Sequence, residues 1–156
     1  MNSQKGALFR LVLAILIMLL LSVAVYFIGI QLAGGILAKA DNNIKFSNWE
    51  YYYFWLVVFM GGVAAAILFI WTTLSHWILS SIGSKRGVWL FLGIILAALC
   101  IAVPIFYEKN FPLLVIDMSI PALFLISYFL MGYWGGSIVV TSDKHKYTPF
   151  LSSFFR

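Results

Sequence analysis

The chain has 156 residues, of which 63% are hydrophobic and only 10% are charged, and its mean hydropathy is +1.02. A soluble domain carries about 25% charged residues, so the composition excludes an ordinary water-solvated domain and predicts one membrane domain over residues 1–156. The net charge of +5 comes from basic residues at the ends of apolar segments, which is typical of membrane topology and argues against a nucleic-acid partner.

The first apolar segment follows a short polar leader, residues 1–10, and runs over about residues 11–37 without a charge. A basic start before an apolar run has two interpretations, a cleaved signal peptide or a retained span. The run is longer than the 7–15 apolar residues of a signal peptide, so we expect a retained first span. Turn and capping residues then predict a loop over residues 38–50.

The second span is predicted over about residues 51–76. Aromatic residues crowd both ends of this uncharged stretch, as they do where helix ends meet lipid headgroups. Its middle is built from small residues, which allow a second helix to approach closely in lipid. We therefore predict a helix-packing interface here, either within the chain or with a neighbouring subunit, formed by Gly61, Gly62, Ala65 and Ala66.

The third span is predicted over about residues 88–106, after a loop that carries Lys85 and Arg86. Pro104 lies near its end and is expected to kink or terminate the helix. Cys100 is the only cysteine, so no disulfide forms within the chain. An apolar surrounding predicts that Cys100 is a packing residue.

The fourth span is predicted over about residues 113–140, with a bend or a helix restart near Pro121. Gly132 and Gly136 form a GxxxG pair and extend the predicted packing interface. The tail, residues 141–156, is expected to lie on the inner leaflet or to dock a cytoplasmic or membrane partner. Its docking residues would be basic and aromatic, namely Lys144, Lys146, Phe150, Phe154 and Phe155.

Four spans place both termini and the second loop on one side of the membrane. That side holds seven basic residues and the other side holds three, which predicts cytoplasmic termini. The seven are Lys5, Arg10, Lys85, Arg86, Lys144, Lys146 and Arg156, and the three are Lys39, Lys45 and Lys109. The short length and the absence of an N-x-[ST] site in the outer loops fit a bacterial inner membrane.

Asp117 is the main candidate for a functional ionisable residue, because it falls inside the fourth predicted span. It lies about 7–8 Å along a helix from Pro112, at the start of that span. An acid within a span by default suggests a functional site. The alternative is an interfacial carboxylate, or a cap for the helix that restarts near Pro121.

Other reactive groups are scarce. A metal site needs several ligands, and His76 and His145 are the only histidines, so neither a metal nor another cofactor is predicted. Nucleophile, zinc-protease, redox and phosphate-loop motifs are missing, and no catalytic residue is assigned. Isolated polar residues within spans, such as Gln31 and Thr72, would hydrogen-bond between helices or line a narrow polar path.

The sequence therefore predicts an all-α membrane protein of four transmembrane helices that is not an enzyme. It would act by helix–helix association, as a homo-oligomer or as a subunit of a larger membrane complex of the secretion, conjugation or defence type. The first alternative is a small transporter or ion channel with Asp117, Gln31 and Thr72 on its path. The second is an intramembrane enzyme with His76 or Asp117 as acid or base, which would need a second positioned group.

Overall fold

The described part of the chain folds into helices alone. The computed structural model describes residues 2–37, 46–78, 82–108 and 119–140, and all of these ranges are helical. Four helical stretches are long and apolar enough to cross a membrane: Leu8–Leu32, Glu50–Thr73, Lys85–Tyr107 and Ser119–Val140. The predicted fold class, an all-α protein with four spans, is confirmed, and the helices indicate a multi-pass membrane protein.

The first three helices extend beyond the apolar segments that predicted them. Helix α1 covers Asn2–Leu37, α2 covers Phe46–Thr73 and continues as a π-helical turn, Leu74–Ile78, and α3 covers Ile82–Glu108. The predicted loops over residues 38–50 and 77–87 were therefore too long. Hydropathy marks only the crossing of the hydrocarbon core, about 30 Å, whereas α1 at 36 residues is about 54 Å long.

Pro104 lies inside α3, which continues to Glu108. Termination of the helix at this residue, one of the two predicted effects, was therefore wrong. Proline removes one backbone hydrogen bond, and packing against neighbouring helices lets a membrane helix tolerate that loss. Pro104 is buried in the bundle, where such packing is available.

The fourth span is not one regular helix. It begins as α4, Ser119–Phe124, continues as a π-helical segment, Leu125–Gly135, and ends as α5, Gly136–Val140. Pro121 falls in the first turn of α4, where its missing N–H has no helical partner to lose. The predicted start of this span, residues 113–118, lies outside the described residues.

The second and fourth spans form the centre of the bundle. In the apolar stretch of these two spans, 44% and 39% of the residues are buried, against 22% in the first span and 28% in the third. Helix α1 packs on α2 and on all three parts of the fourth span, and α3 packs on α2, α4 and the π-helical segment. The two central spans thus carry the core, with α1 and α3 against them.

The outside of the bundle is apolar. Large side chains such as Leu20, Phe27, Phe91 and Phe106 are more than half exposed on α1 and α3. A water-soluble monomer does not expose apolar surface on this scale, so lipid is the solvent that this surface fits.

Candidate functional site

The interior of the bundle contains three tyrosines whose hydroxyls each donate to a backbone carbonyl of another helix. Tyr53 on α2 reaches Val25 O on α1 at 2.8 Å, and Tyr133 in the fourth span reaches Trp89 O on α3 at 2.8 Å. Tyr128 reaches Val57 O on α2 at 3.2 Å. A helical carbonyl keeps a second lone pair after its own backbone bond, so each contact joins two spans without breaking a helix.

The first layer of this interior is built around the ring of Tyr53. Its ring stacks between Tyr26, at 6.1 Å and 16°, and Phe124, at 6.4 Å and 30°. The hydroxyl of Tyr26 donates to Oε1 of Glu50 at 3.0 Å. Gly29 makes room for this layer, because a Cβ at that position would overlap the Tyr53 phenol. The glycine is therefore required by the close approach of α1 and α2.

The middle layer joins α1, α2 and the fourth span around Tyr128. The Tyr128 hydroxyl lies 3.2 Å from Ser22 Oγ and 3.2 Å from Val57 O, so one proton is shared between two acceptors. Ser22 donates its own proton to Met18 O at 3.0 Å, which makes Ser22 the acceptor of the pair. Gly61 lies opposite, and a Cβ there would overlap Ser22 Oγ.

The third layer ties the fourth span to α3. Trp89 Nε1 donates to Ser137 Oγ at 3.1 Å, and Ser137 in turn donates to Trp134 O at 2.8 Å. The rings of Trp89 and Tyr133 stack with centroids 5.6 Å apart, while the Tyr133 hydroxyl donates to the Trp89 carbonyl. Trp89 therefore serves as both donor and acceptor for the same neighbouring helix.

Three of the six small residues predicted to form the packing interface lie at helix contacts inside the bundle. A Cβ on Gly132 would sit 3.1 Å from Met18 Cε, and one on Gly136 would sit 3.1 Å from Leu68 Cδ2. Gly61 faces Ser22, as described above. These glycines allow α1, α2 and the fourth span to approach one another within a single chain.

The other three predicted residues are distributed differently. Gly62 is exposed, and nothing lies within 4 Å of a Cβ built there. Ala66, one turn further along α2, is also exposed, whereas Ala65 is half-buried against the core. Gly62 and Ala66 thus form a small pair on the outward face of α2. This pair is flanked by the exposed rings of Phe59 and Phe69.

Gln31 and Thr72, two of the residues predicted for a polar path, do not meet. Gln31 is exposed near the end of α1, and Thr72 is buried near the end of α2, where it donates to Leu68 O at 2.7 Å in its own helix. Because α1 and α2 run antiparallel, pairing Val25 with Tyr53, these two residues lie toward opposite ends of the bundle. Asp117 and the tail residues Lys144, Lys146, Phe150, Phe154 and Phe155 lie outside the described residues.

The structure assigns no metal centre within the ranges it describes. No group of three or more His, Cys, Asp or Glu side chains comes together there, and Cys100 is buried in the core. His76 falls in the π-helical turn that ends α2. The hydroxyls of Tyr53, Tyr128 and Tyr133 are joined to backbone carbonyls of other helices, so these contacts fasten helices to one another.

Sequence reasoning missed the interior tyrosines and their partners on other helices. A signal for them exists, because Tyr128 and Tyr133 stand far from the headgroup belts in which membrane tyrosines usually concentrate. A tyrosine in mid-span must bury its hydroxyl on an acceptor. The sequence does not show which helix supplies that acceptor.

Comparison with known proteins adds no relative: the chain matches no family model, and neither a curated protein nor a solved structure matches it significantly.

Proposed function

We propose that this protein acts by helix–helix association in the membrane, as a homo-oligomer or as a subunit of a larger membrane complex. The complex would be of the secretion, conjugation or defence type, in a bacterial inner membrane with both termini in the cytoplasm. The observation that carries the proposal is the outward pair Gly62 and Ala66, which leaves the centre of one face of α2 without side-chain bulk.

This face is built in the way that membrane helices pack. Lipid tails give helices no hydrophobic reason to associate, so association depends on close packing at small residues. The bundle already uses glycine in this manner at Gly61, Gly132 and Gly136. Gly62 repeats the feature on the opposite side of α2, where Phe59 and Phe69 would border a partner helix that crosses at the glycine.

We assign the chain no catalytic activity and give its interior a structural role. The hydroxyls of Tyr53, Tyr128 and Tyr133 are each held by a backbone carbonyl, an arrangement suited to fixing helices in place. The basic and aromatic tail, residues 141–156, is the proposed docking element on the cytoplasmic side. Its charge and ring content suit a membrane surface or a protein partner equally.

The test is a pair of bulky substitutions on the outward face of α2. The variant Gly62→Leu/Ala66→Leu is expected to lower the oligomeric mass in mild detergent and to reduce cross-linking between copies, or to a partner, in native membranes. The matched control is Ala98→Leu/Ala102→Leu, an exposed pair with the same spacing on α3. Gly136→Leu is unsuitable, because that residue faces Leu68 inside the bundle.

Two results would contradict the proposal. The first is an unchanged mass and unchanged cross-linking for the α2 variant, and the second is a loss confined to the α3 control. Transport remains the alternative function, although the positions of Gln31 and Thr72 give it no additional support. Flux into proteoliposomes that is lost in Asp117→Asn would favour it.

A further inference from the structure

The fourth span buries side chains at a spacing that a regular α-helix does not produce. Phe124, Tyr128, Tyr133 and Ser137 are all completely buried, at intervals of four, five and four residues. An α-helix turns about 100° per residue, so a step of five would place Tyr133 about 140° around the helix from Tyr128. The pair Phe124 and Tyr128 would then lie on nearly the opposite face of the helix from the pair Tyr133 and Ser137.

The π-helical segment removes this mismatch. With i→i+5 bonding, a residue five positions further along returns close to the same face, so both pairs are brought inward. The backbone carries the signature of that bonding, because a Cβ on Gly132 would lie 3.3 Å from Ser127 O, and one on Gly135 would lie 3.6 Å from Leu130 O. The segment therefore behaves as one residue inserted into an α-helical span.

The buried polar side chains of the two halves bond to different helices. Tyr128, in the first half of the π-helical segment, bonds to α1 and α2 through Ser22 and Val57. Tyr133, near the end of the segment, and Ser137, just after it, bond to Trp89 on α3. Beyond the insertion the usual bonding resumes, because the Gly136 N–H reaches the carbonyls of Gly132 and Tyr133. These hydrogen bonds to α3 thus act together with the packing of α5 on α1 and α2 to hold the second half in its present orientation.

We propose that the fourth span is a two-register helix and that the bonds between Trp89, Tyr133 and Ser137 hold it in the π register. When those bonds break, the segment rewinds as an α-helix and α5 turns by about 100° and advances by about 1.5 Å. Each interhelical hydrogen bond in a membrane is weak, so a latch made of only a few of them can open. This change of register does not depend on whether the bundle associates with other helices.

The rewinding has a definite effect on α5. Each residue takes the direction now held by the residue after it. Val139, exposed in the present register, turns to the direction in which Val140 is buried, and Ile138 turns to the exposed direction of Val139. Position 139 therefore becomes buried, while position 138, which is now half-buried, becomes exposed.

The first experiment tests whether the segment contains an inserted residue. Deletion of Met131, an exposed residue within it, should leave the thermal stability of the detergent-solubilised protein close to that of the wild type. Deletion of Ala98, exposed in the regular α-helix α3, should abolish folding or lower the melting temperature strongly. If the Met131 deletion is as damaging as the Ala98 deletion, the proposal is overturned.

The second experiment detects the other register. Spin labels are placed on single cysteines at position 138, 139 or 122 in a Cys100→Ala background, and oxygen accessibility is measured in proteoliposomes. Tyr133→Phe, alone and with Ser137→Ala, should lower the accessibility at 139, raise it at 138 and leave the reference at 122 unchanged. Accessibilities at 138 and 139 that match those of the unsubstituted background in both variants would overturn the proposal. So would parallel changes at all three positions, which report general loosening.

Discussion

Replacement of Gly29 by alanine should destabilise the bundle, because the added methyl group would occupy space now filled by the Tyr53 phenol. Tyr53 is fully buried and cannot move outward freely. Its ring lies between Tyr26 and Phe124, and its hydroxyl is fixed on Val25 O at 2.8 Å. The substitution must therefore shift the ring, separate α1 from α2, or do both.

The cost follows from the two interactions that are disturbed. Overpacking a well-filled core costs about 1–3 kcal/mol. Loss of the bond between Tyr53 and Val25 adds about 0.6 kcal/mol, and up to about 1.7 kcal/mol, on the scale of interhelical bonds in membranes. Relative to a glycine-to-alanine change that meets no clash, the free energy of unfolding should thus be lower by about 2–5 kcal/mol, which is roughly a 30- to 4,000-fold change in the folding equilibrium.

The measurement is reversible unfolding in detergent micelles, with Gly87→Ala on α3 as the control. Both substitutions gain intrinsic helix propensity, but the new Cβ at the exposed Gly87 meets nothing within 4 Å. The difference between the two variants therefore isolates the clash with Tyr53. Tyr53→Ala removes the obstructing ring, so adding Gly29→Ala to it should cost little more. Equal stability of Gly29→Ala and Gly87→Ala would refute the reasoning.

Two further predictions concern the middle layer and the topology. Gly61→Ala alone should be destabilising, whereas Gly61→Ala combined with Ser22→Ala should be largely tolerated, because Ser22→Ala removes the Oγ that the new Cβ would overlap. Unfolding of the single and double variants measures the free energy of each. Additive losses of the two substitutions would contradict the prediction. Reporters fused before Met1 and after Arg156 should both be active in the cytoplasm, while a reporter inserted near Asn42 should lie outside. Opposite locations for the two termini would rule out a four-span arrangement.

The number and type of the helices could be predicted because hydropathy alone decides them. Each span needs about 20 apolar residues, and four such segments stand out in the sequence. The helix ends could not be predicted in the same way. The first residues of α2 from Phe46, and of α3 from Ile82, are helical although their composition resembles loops. Backbone hydrogen bonding continues where the apolar signal has already stopped.

The candidate site was harder to predict, because a small residue does not reveal what lies opposite it. Gly61 and Gly62 are adjacent in sequence, yet one faces Ser22 inside the bundle and the other lies open on the surface. Helical periodicity separates their directions, but only the packed neighbours decide which direction is inward. The π-helical segment adds a second difficulty, because the period used to assign Gly132 and Gly136 changes at that point.

The hydrogen bonds and the small residues together suggest how a bundle without a water-driven core obtains a single structure. With apolar side chains alone, four helices could slide and rotate in lipid at little cost. A leucine side chain is as well surrounded by lipid tails as by another leucine. The register between pairs of helices is set by Tyr53, Tyr128 and Tyr133, because each hydroxyl can donate to its carbonyl only over a narrow range of helix positions. Gly29 and Gly61 then set how closely those helices approach. Gly62, by contrast, lies on an open part of the α2 surface, which is why we propose that face as the association surface.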